Sequence, residues 1–178
     1  VKYSFKNGSH LQAGAVLRNM YYKDEVEDKD RIVTGWGASL SGIWQFAQNT
    51  SLCFQGVYGK GISNYIQDIS GTGLDLVPNA TAEGKLKAFN AWGGYIGFSH
   101  NWSKVLTSNI MYSYARVLDR YGMPATSYKY AQYAAANLFW DFSEYGSCAI
   151  EYVFGRRNDF NKDYGNASRI NTMIQYRF

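Results

Sequence analysis

The chain has 178 residues, which is enough for one domain. Aromatic residues make up 17% of it, a share that is high for a soluble domain and typical of the aromatic belts of membrane proteins. The mean hydropathy is −0.35, and no window approaches the ~20 apolar residues of a membrane-crossing helix. A membrane barrel escapes such a scan because half of each strand faces water. The net charge of +4 is too small to indicate a nucleic-acid binder.

Alternating apolar and polar residues predict four strands in the first third of the chain. Asn7-Gly8 is a strong tight-turn signal, and residues 23–30 read as a solvated charged loop. The chain opens on Val1 without an initiator methionine, so we expect a mature product or an excised part of a longer protein. The predicted strands cover residues 1–6, 9–22, 31–47 and 51–60, and their apolar sides are assigned outward.

The longest predicted connection covers residues 61–83. Ile62, Tyr65, Ile66 and Ile69 sit at helical spacing there, which predicts a short amphipathic helix. In a large barrel such a loop can fold inward and narrow the channel; a surface or subunit-contact loop is an equally good interpretation. A fifth strand is predicted over residues 84–101, with Lys85, Lys87 and Phe89 facing inward.

Four further strands are predicted, and the last of them is the most informative. They cover residues 104–117, 128–142, 147–157 and 167–178. In the last strand Ile170, Ile174, Tyr176 and Phe178 share one face, and polar side chains including Arg169 share the other. A chain that ends inside a strand needs that strand paired, so an apolar outside, a polar inside and a closed sheet are expected. An amphipathic strand of a soluble sandwich is the alternative.

These elements predict an all-β fold, an antiparallel up-and-down transmembrane β-barrel in which residues 1–178 form a single unit. Short turns alternate with long loops, as periplasmic turns alternate with extracellular loops in outer-membrane barrels. The count is about nine strands, whereas bacterial single-chain barrels have an even number. Either strands are missing upstream, or the first run is accessory and eight strands close alone.

The strand parity divides the charged and aromatic residues into two candidate sets. Inward cations would concentrate anions in a lumen; these are Lys2, Lys6, Arg18, Lys85, Lys87, Arg157, Arg169 and Arg177, against the inward acids Asp141 and Glu151. Outward aromatics would form membrane girdles; these are Trp36, Trp44, Trp92, Trp140, Tyr152, Tyr176 and Phe178. Arg116 and Arg156 have outward parity near extracellular strand ends, where lipopolysaccharide phosphates or a local bulge would explain them.

Enzymatic chemistry is not expected. His10 and His100 lie beside short turns without a Ser or Asp partner at a catalytic spacing. Cys53 and Cys148 take opposite parity and have no metal-ligand neighbours, which argues against a disulfide and against a metal site. No P-loop or dinucleotide fingerprint occurs, so no cofactor is expected.

Several stretches resemble the carboxy-terminal half of the DcaP-like outer-membrane porins. They include Leu11-Gln12-Ala13-Gly14-Ala15-Val16-Leu17-Arg18, Gly35-Trp36-Gly37-Ala38-Ser39-Leu40-Ser41-Gly42, Gly59-Lys60-Gly61-Ile62-Ser63-Asn64-Tyr65-Ile66 and Glu151-Tyr152-Val153-Phe154-Gly155-Arg156-Arg157. The resemblance implies a trimeric barrel of about sixteen strands in the bacterial outer membrane, passing small anions such as dicarboxylates. The amino-terminal part of such a barrel would lie outside these residues.

Three functions remain open on the sequence. The first is a porin for small anionic solutes. The second is a small eight-stranded structural or recognition barrel with a lumen plugged by side chains. The third is a soluble lipocalin-like carrier, in which the apolar face would point inward.

Overall fold

Nine antiparallel strands form one sheet in a computed structural model that describes residues 1–178. No helix in it has the length and apolar character needed to cross a membrane. Two further short strands, β5 and β6, pair only with each other. In chain order the strands are β1 (Lys2–Ser4), β2 (His10–Asp24), β3 (Lys29–Ala47), β4 (Thr50–Lys60), β5 (Leu76–Pro78), β6 (Leu86–Ala88), β7 (Asn90–Asn101), β8 (Leu106–Val117), β9 (Tyr128–Asp141), β10 (Gly146–Asp159) and β11 (Tyr164–Tyr176).

The large sheet is an up-and-down meander in which each strand pairs with its neighbours in sequence, apart from β5 and β6. Its order is β1-β2-β3-β4-β7-β8-β9-β10-β11. The two edge strands, β1 and β11, each pair on one side only, so the sheet is open. The predicted all-β, antiparallel up-and-down class is confirmed, and the open sheet is the form that part of a larger barrel takes.

Two of the predicted long loops are wrong in length because the strands beside them continue. Pairing of β2 with β3 extends to Asp24 and Lys29, which leaves a turn over residues 25–28. Pairing of β10 with β11 extends to Asn158 and Tyr164, which leaves only a short turn after β10. A strand that protrudes into water can continue through charged residues. The predicted end of β2 and start of β3 were therefore wrong, because the prediction took the charged residues 23–30 as a loop.

Residues 61–89, called the inserted segment below, replace the predicted start of the fifth strand. That strand begins at Asn90, and the predicted start at residue 84 is wrong. Lys85 and Lys87 therefore belong to the inserted segment, where β6 pairs with β5. The predicted amphipathic helix is realised as two short 3₁₀ helices, Ser63–Tyr65 and Gln67–Ile69.

The inserted segment packs on one side of the large sheet, called the inner face. Ile62, Ile69 and Phe89 have no exposed surface, and they pack with inward-parity wall residues such as Ala115 and Val117. The opposite side, called the outer face, is apolar and uncovered: Leu17 is 80% exposed and Ile174 is 84% exposed. This is the arrangement of a barrel wall whose outside faces lipid.

Both alternatives to a large barrel fit this architecture poorly. An isolated eight-stranded barrel would pair its first and last long strands, whereas β2 and β11 have no contact along an edge. A lipocalin-like carrier would cover its apolar face, whereas here the polar face is the covered one.

Candidate channel lining

A carboxylate network ties the inserted segment to the wall. Asp75 accepts hydrogen bonds from Arg18 Nη1 on β2 at 2.9 Å, from Ser63 Oγ at 2.8 Å and from Asn64 Nδ2 at 3.0 Å. The same Nη1 of Arg18 donates to the carbonyl oxygen of Gly61 at 3.1 Å. Arg18 was predicted as an anion-attracting residue, and its charge is here neutralised by a carboxylate 57 positions further along the chain.

Glycines on the wall allow the inserted segment to approach closely. A Cβ on Gly37 would lie 2.8 Å from Ile62 Cγ2, and one on Gly93 would lie 3.0 Å from Ile66 Cγ2. A Cβ on Gly37 would force Ile62 to shift, and one on Gly93 would be a tight contact that displaces Ile66 by a few tenths of an ångström, so glycine lets the segment lie closest to the wall. The sequence shows these glycines inside predicted strands, but it does not show that Ile62 and Ile66 pack against them.

A tyrosine at the start of β9 makes a further contact between the wall and the inserted segment. The hydroxyl of Tyr128 donates to Asp68 Oδ2 at 2.8 Å and lies 3.0 Å from the carbonyl oxygen of Ala115. The register shifts between Asn158 and Asp159, and this irregularity turns Tyr128 to the inner face. Simple alternation along β9 would have placed it outside.

A groove of about 800 Å³ runs between the inserted segment and the wall. The segment contributes Tyr65, Gln67 and Asp68, and facing wall residues include Tyr95 and Tyr133. Phenol rings and amide groups can stack on a solute and hydrogen-bond it, while the single carboxylate is already bound to Tyr128. Tyr65 was named from the sequence only for its helical spacing, and the groove itself was not predicted, because no alternation pattern reports what a loop will cover.

A row of polar side chains crosses the inner face of four strands at one level. Asn109 Nδ2 donates to Asn137 Oδ1 at 2.8 Å, and Asn137 Nδ2 donates to Glu151 Oε2 at 3.3 Å. Asn171 Nδ2 completes the row with a bond to Glu151 Oε1 at 2.9 Å. Glu151 was predicted to face inward, and its carboxylate is held by two amides.

The predicted inward cations separate into paired and unpaired groups. Arg18 pairs with Asp75, Arg157 Nε lies 2.9 Å from Asp159, and Lys85 Nζ lies 3.5 Å from Glu27. The others form no ion pair; these are Lys2, Lys6, Lys87, Arg169 and Arg177.

One of the unpaired cations has an aromatic partner outside the wall strands. Lys87 Nζ lies 3.3 Å from the ring centre of Tyr121, a distance suited to a cation–π contact. Burial, together with the neighbouring carboxylate of Asp119, raises the pKa of the Tyr121 hydroxyl. Tyr121 therefore presents a neutral ring to Lys87 across the physiological pH range.

The predicted girdle residues fall at two levels of the outer face. Trp36 and Trp92 lie opposite Lys60 and Arg116, near the end of the wall that carries the inserted segment. Trp44, Trp140 and Tyr176 lie toward the other end of the strands, Phe178 follows β11, and Tyr152 lies at the middle of β10 instead of at either level. Trp140 is 52% exposed on the outer face, which agrees with the predicted girdle position without testing it.

Histidines and cysteines take no part in a reactive cluster. His100 Nδ1 lies 2.8 Å from Thr50 Oγ1, and no carboxylate joins them. Cys53 on β4 and Cys148 on β10 are free thiols. No group of three or more His, Cys, Asp or Glu side chains is arranged to hold a metal ion.

The fold has a counterpart among solved structures. The outer membrane channel DcaP of Acinetobacter baumannii matches 99% of this chain with a TM-score of 0.80 and 19% sequence identity, and the match covers 49% of the DcaP chain. The NanC porin matches 100% of this chain and 90% of its own, at a TM-score of 0.49 and 12% identity. No family model and no curated protein matches. The chain thus spans about half the length of DcaP, and the expected DcaP-like fold is confirmed.

Proposed function

We propose that this chain forms part of the wall of a passive channel in the bacterial outer membrane, with a preference for small anionic solutes. The observation that carries the proposal is the inserted segment. It covers the inner face and leaves a groove of about 800 Å³ beside it. In a closed barrel the inner face surrounds the lumen, so this segment narrows a water-filled path without filling it.

Anion preference is supported by the charges left free on the inner face. Lys2 and Arg169 take inward parity on β1 and β11, Lys6 and Arg177 follow the ends of these two strands, and none of the four forms an ion pair. The clearest acids of that face are Asp141 and Glu151, and the carboxylate of Glu151 is held by two asparagine amides. A lumen with an excess of free cations raises the local concentration of anions and speeds their entry. Dicarboxylates are the solutes that we propose for this groove and for these free cations.

The chemistry is transport rather than catalysis. DcaP is described as a channel, and neither histidine of this chain has the partners of a general base. No bond is made or broken as a solute passes, so the inner cations replace part of its hydration and release it again. Outer-membrane lipid, lipopolysaccharide and two further copies in a trimer complete the proposed assembly.

Single-channel recording of the full-length protein tests this function. In planar bilayers with a salt gradient, the reversal potential reports which ion crosses more readily. We expect anion preference, and we expect it to fall when Arg169→Gln and Arg177→Gln are combined.

The matched control is Lys23→Gln. Lys23 is an exposed cation that pairs with Asp28 at 2.7 Å, in the hairpin that protrudes beyond the wall. Its removal should leave the reversal potential unchanged. Cation preference in the unaltered protein, or an equal effect of the control, contradicts anion selection; absence of conductance contradicts the channel itself.

A further inference from the structure

A second groove lies on the outer face, outside the proposed solute path. Its volume is about 850 Å³, and its floor is formed by Gly56 on β4 and Gly94 on β7, which are paired across the two strands. Leu40, Tyr58 and Trp92 form its sides. The groove is almost entirely apolar and is wide open toward the outside of the wall.

Two arginines stand on the same face toward the extracellular end. Arg116 lies directly opposite Trp92 of the groove wall, and Arg156 lies two strands further on. Neither forms an ion pair, and Nε of Arg116 is buried without a hydrogen-bond partner. Arg156 is oriented by Asn158, which accepts from its Nε at 3.0 Å, and by the ring of Tyr164, 4.3 Å away.

The strands around these two arginines supply no acid to the outer face. The outward positions of β7, β8, β9, β10 and β11 include no Asp or Glu. A guanidinium at a lipid-facing position is costly unless an anion meets it. The face therefore combines unpaired cations with an apolar slot beside them, which is the pattern expected for a ligand that has a phosphate and a long hydrocarbon chain.

The level of the arginines indicates which leaflet supplies that ligand. The inserted segment and the connection at residues 118–127 leave the wall at the same end as Arg116 and Arg156, and long connections of outer-membrane barrels are extracellular. The outer leaflet there consists of lipopolysaccharide, whose lipid A part has phosphates above its acyl chains.

We propose that the outer face binds one lipid A moiety of lipopolysaccharide, with a phosphate at Arg116 and Arg156 and an acyl chain over Gly56 and Gly94. This inference rests on the proposed outer-membrane location. Arginine holds phosphate with two parallel charge-assisted bonds, and the guanidinium groups of Arg116 and Arg156 are not engaged by any carboxylate of this chain. The missing side chains at the glycine pair leave the width that a hydrocarbon chain needs.

Three variants of the full-length protein test the site, each purified in mild detergent with added lipopolysaccharide and examined by native mass spectrometry. Arg116→Gln combined with Arg156→Gln removes the phosphate contacts. Gly56→Leu fills the groove, and a Cβ at that position meets no atom within 4 Å, so the strand can accept the change. Arg169→Gln is the matched control, because it removes one unpaired cation from the inner face instead.

We expect the arginine pair to lower lipopolysaccharide retention on the order of tenfold or more, in line with the loss of two charge-assisted contacts. Gly56→Leu should lower it with both arginines present, and the control should retain lipid as the unaltered protein does. Equal retention by all variants overturns the site, as does an equal loss in the control.

Two further results would also overturn the proposal. One is tighter retention of phosphatidylglycerol than of lipopolysaccharide. The other is a disulfide between two copies through Gly56→Cys, since a second protein chain would then cover the groove. Conductance of the same samples separates this site from the channel. Conduction without retention of lipid A supports the channel and contradicts the lipid site. Retention of lipid A without conduction supports the lipid site and contradicts the channel.

Discussion

The substitution Asp75→Asn tests whether the inserted segment is held by its carboxylate network. The ion pair with Arg18 is mostly buried, with side-chain exposures of 26% for Arg18 and 15% for Asp75. Breaking a fully buried pair costs about 3–5 kcal/mol and an exposed one about 0–1 kcal/mol, so we expect about 2 kcal/mol here. The apolar contacts of Ile62, Ile69 and Phe89 remain, so the segment should stay in place but open more often.

A loss of about 2 kcal/mol corresponds to a roughly thirtyfold rise in the open population. Hydrogen exchange of the full-length protein measures this rise at two amides that form only when the segment is docked. Gly61 N donates to the Phe89 carbonyl at 2.8 Å, and Phe89 N donates to the Asp75 carbonyl at 3.1 Å. The same variant should raise the noise of the open channel.

The control is Asp28→Asn, which removes the exposed partner of Lys23. It should leave both amides and the channel noise as they are. If Asp75→Asn exchanges no faster than this control, the network does not hold the segment, and the apolar contacts alone must do so.

Three further predictions concern the core, the lipid face and pH. Phe89→Ala should lower the free energy of unfolding in detergent by about 3–5 kcal/mol, since the ring is fully buried, whereas Phe89→Leu should cost less; equal losses would contradict the packing. Ile96→Arg on the outer face should cost about 2–4 kcal/mol in lipid vesicles, and Tyr95→Arg on the inner face less; the reverse order would contradict the assignment of faces. Burial alone would raise the pKa of Asp24 at the hairpin tip, but two backbone amides and Arg31 outweigh it and hold the pKa below its usual range. The Asp24 carboxylate therefore stabilises the hairpin above about pH 4, and this stabilisation is lost as the pH falls through the folded-state pKa of Asp24. Amide exchange of the hairpin measured across pH 2–5 should show this loss in the unaltered protein and not in Asp24→Asn.

The sequence predicts the wall well because strand parity is a local property. Ile170, Ile174 and Tyr176 alternate with polar residues, and each side chain of a strand must point opposite to its neighbours. The same rule places Val16 and Gly37 on the inner face and Leu17 on the outer face without any knowledge of partners. The strand order also follows, because neighbours joined by short turns pair with each other.

The inserted segment could not be derived in this way. Residues 86–88 alternate as a wall strand would, so the pattern identified a strand but not that it pairs with residues 76–78. The partnership of Arg18 with Asp75 spans 57 positions, and no spacing rule links them. Alternation also misplaces Tyr128, because an irregularity in the pairing of β9 with β10 reverses its side.

The assignment of the two faces is tested most directly by a spin-label scan of β9 in the full-length protein, reconstituted in lipid vesicles with Cys53 and Cys148 replaced by serine. Oxygen, which concentrates in lipid, and a water-soluble nickel chelate report on the two environments. We predict that oxygen reaches the outer-face positions Gln132, Ala134, Ala136 and Leu138, and that the chelate reaches the uncovered inner-face positions Tyr133, Asn137 and Asp141. The opposite pattern, or no alternation, would contradict a wall that is apolar toward lipid and polar toward water.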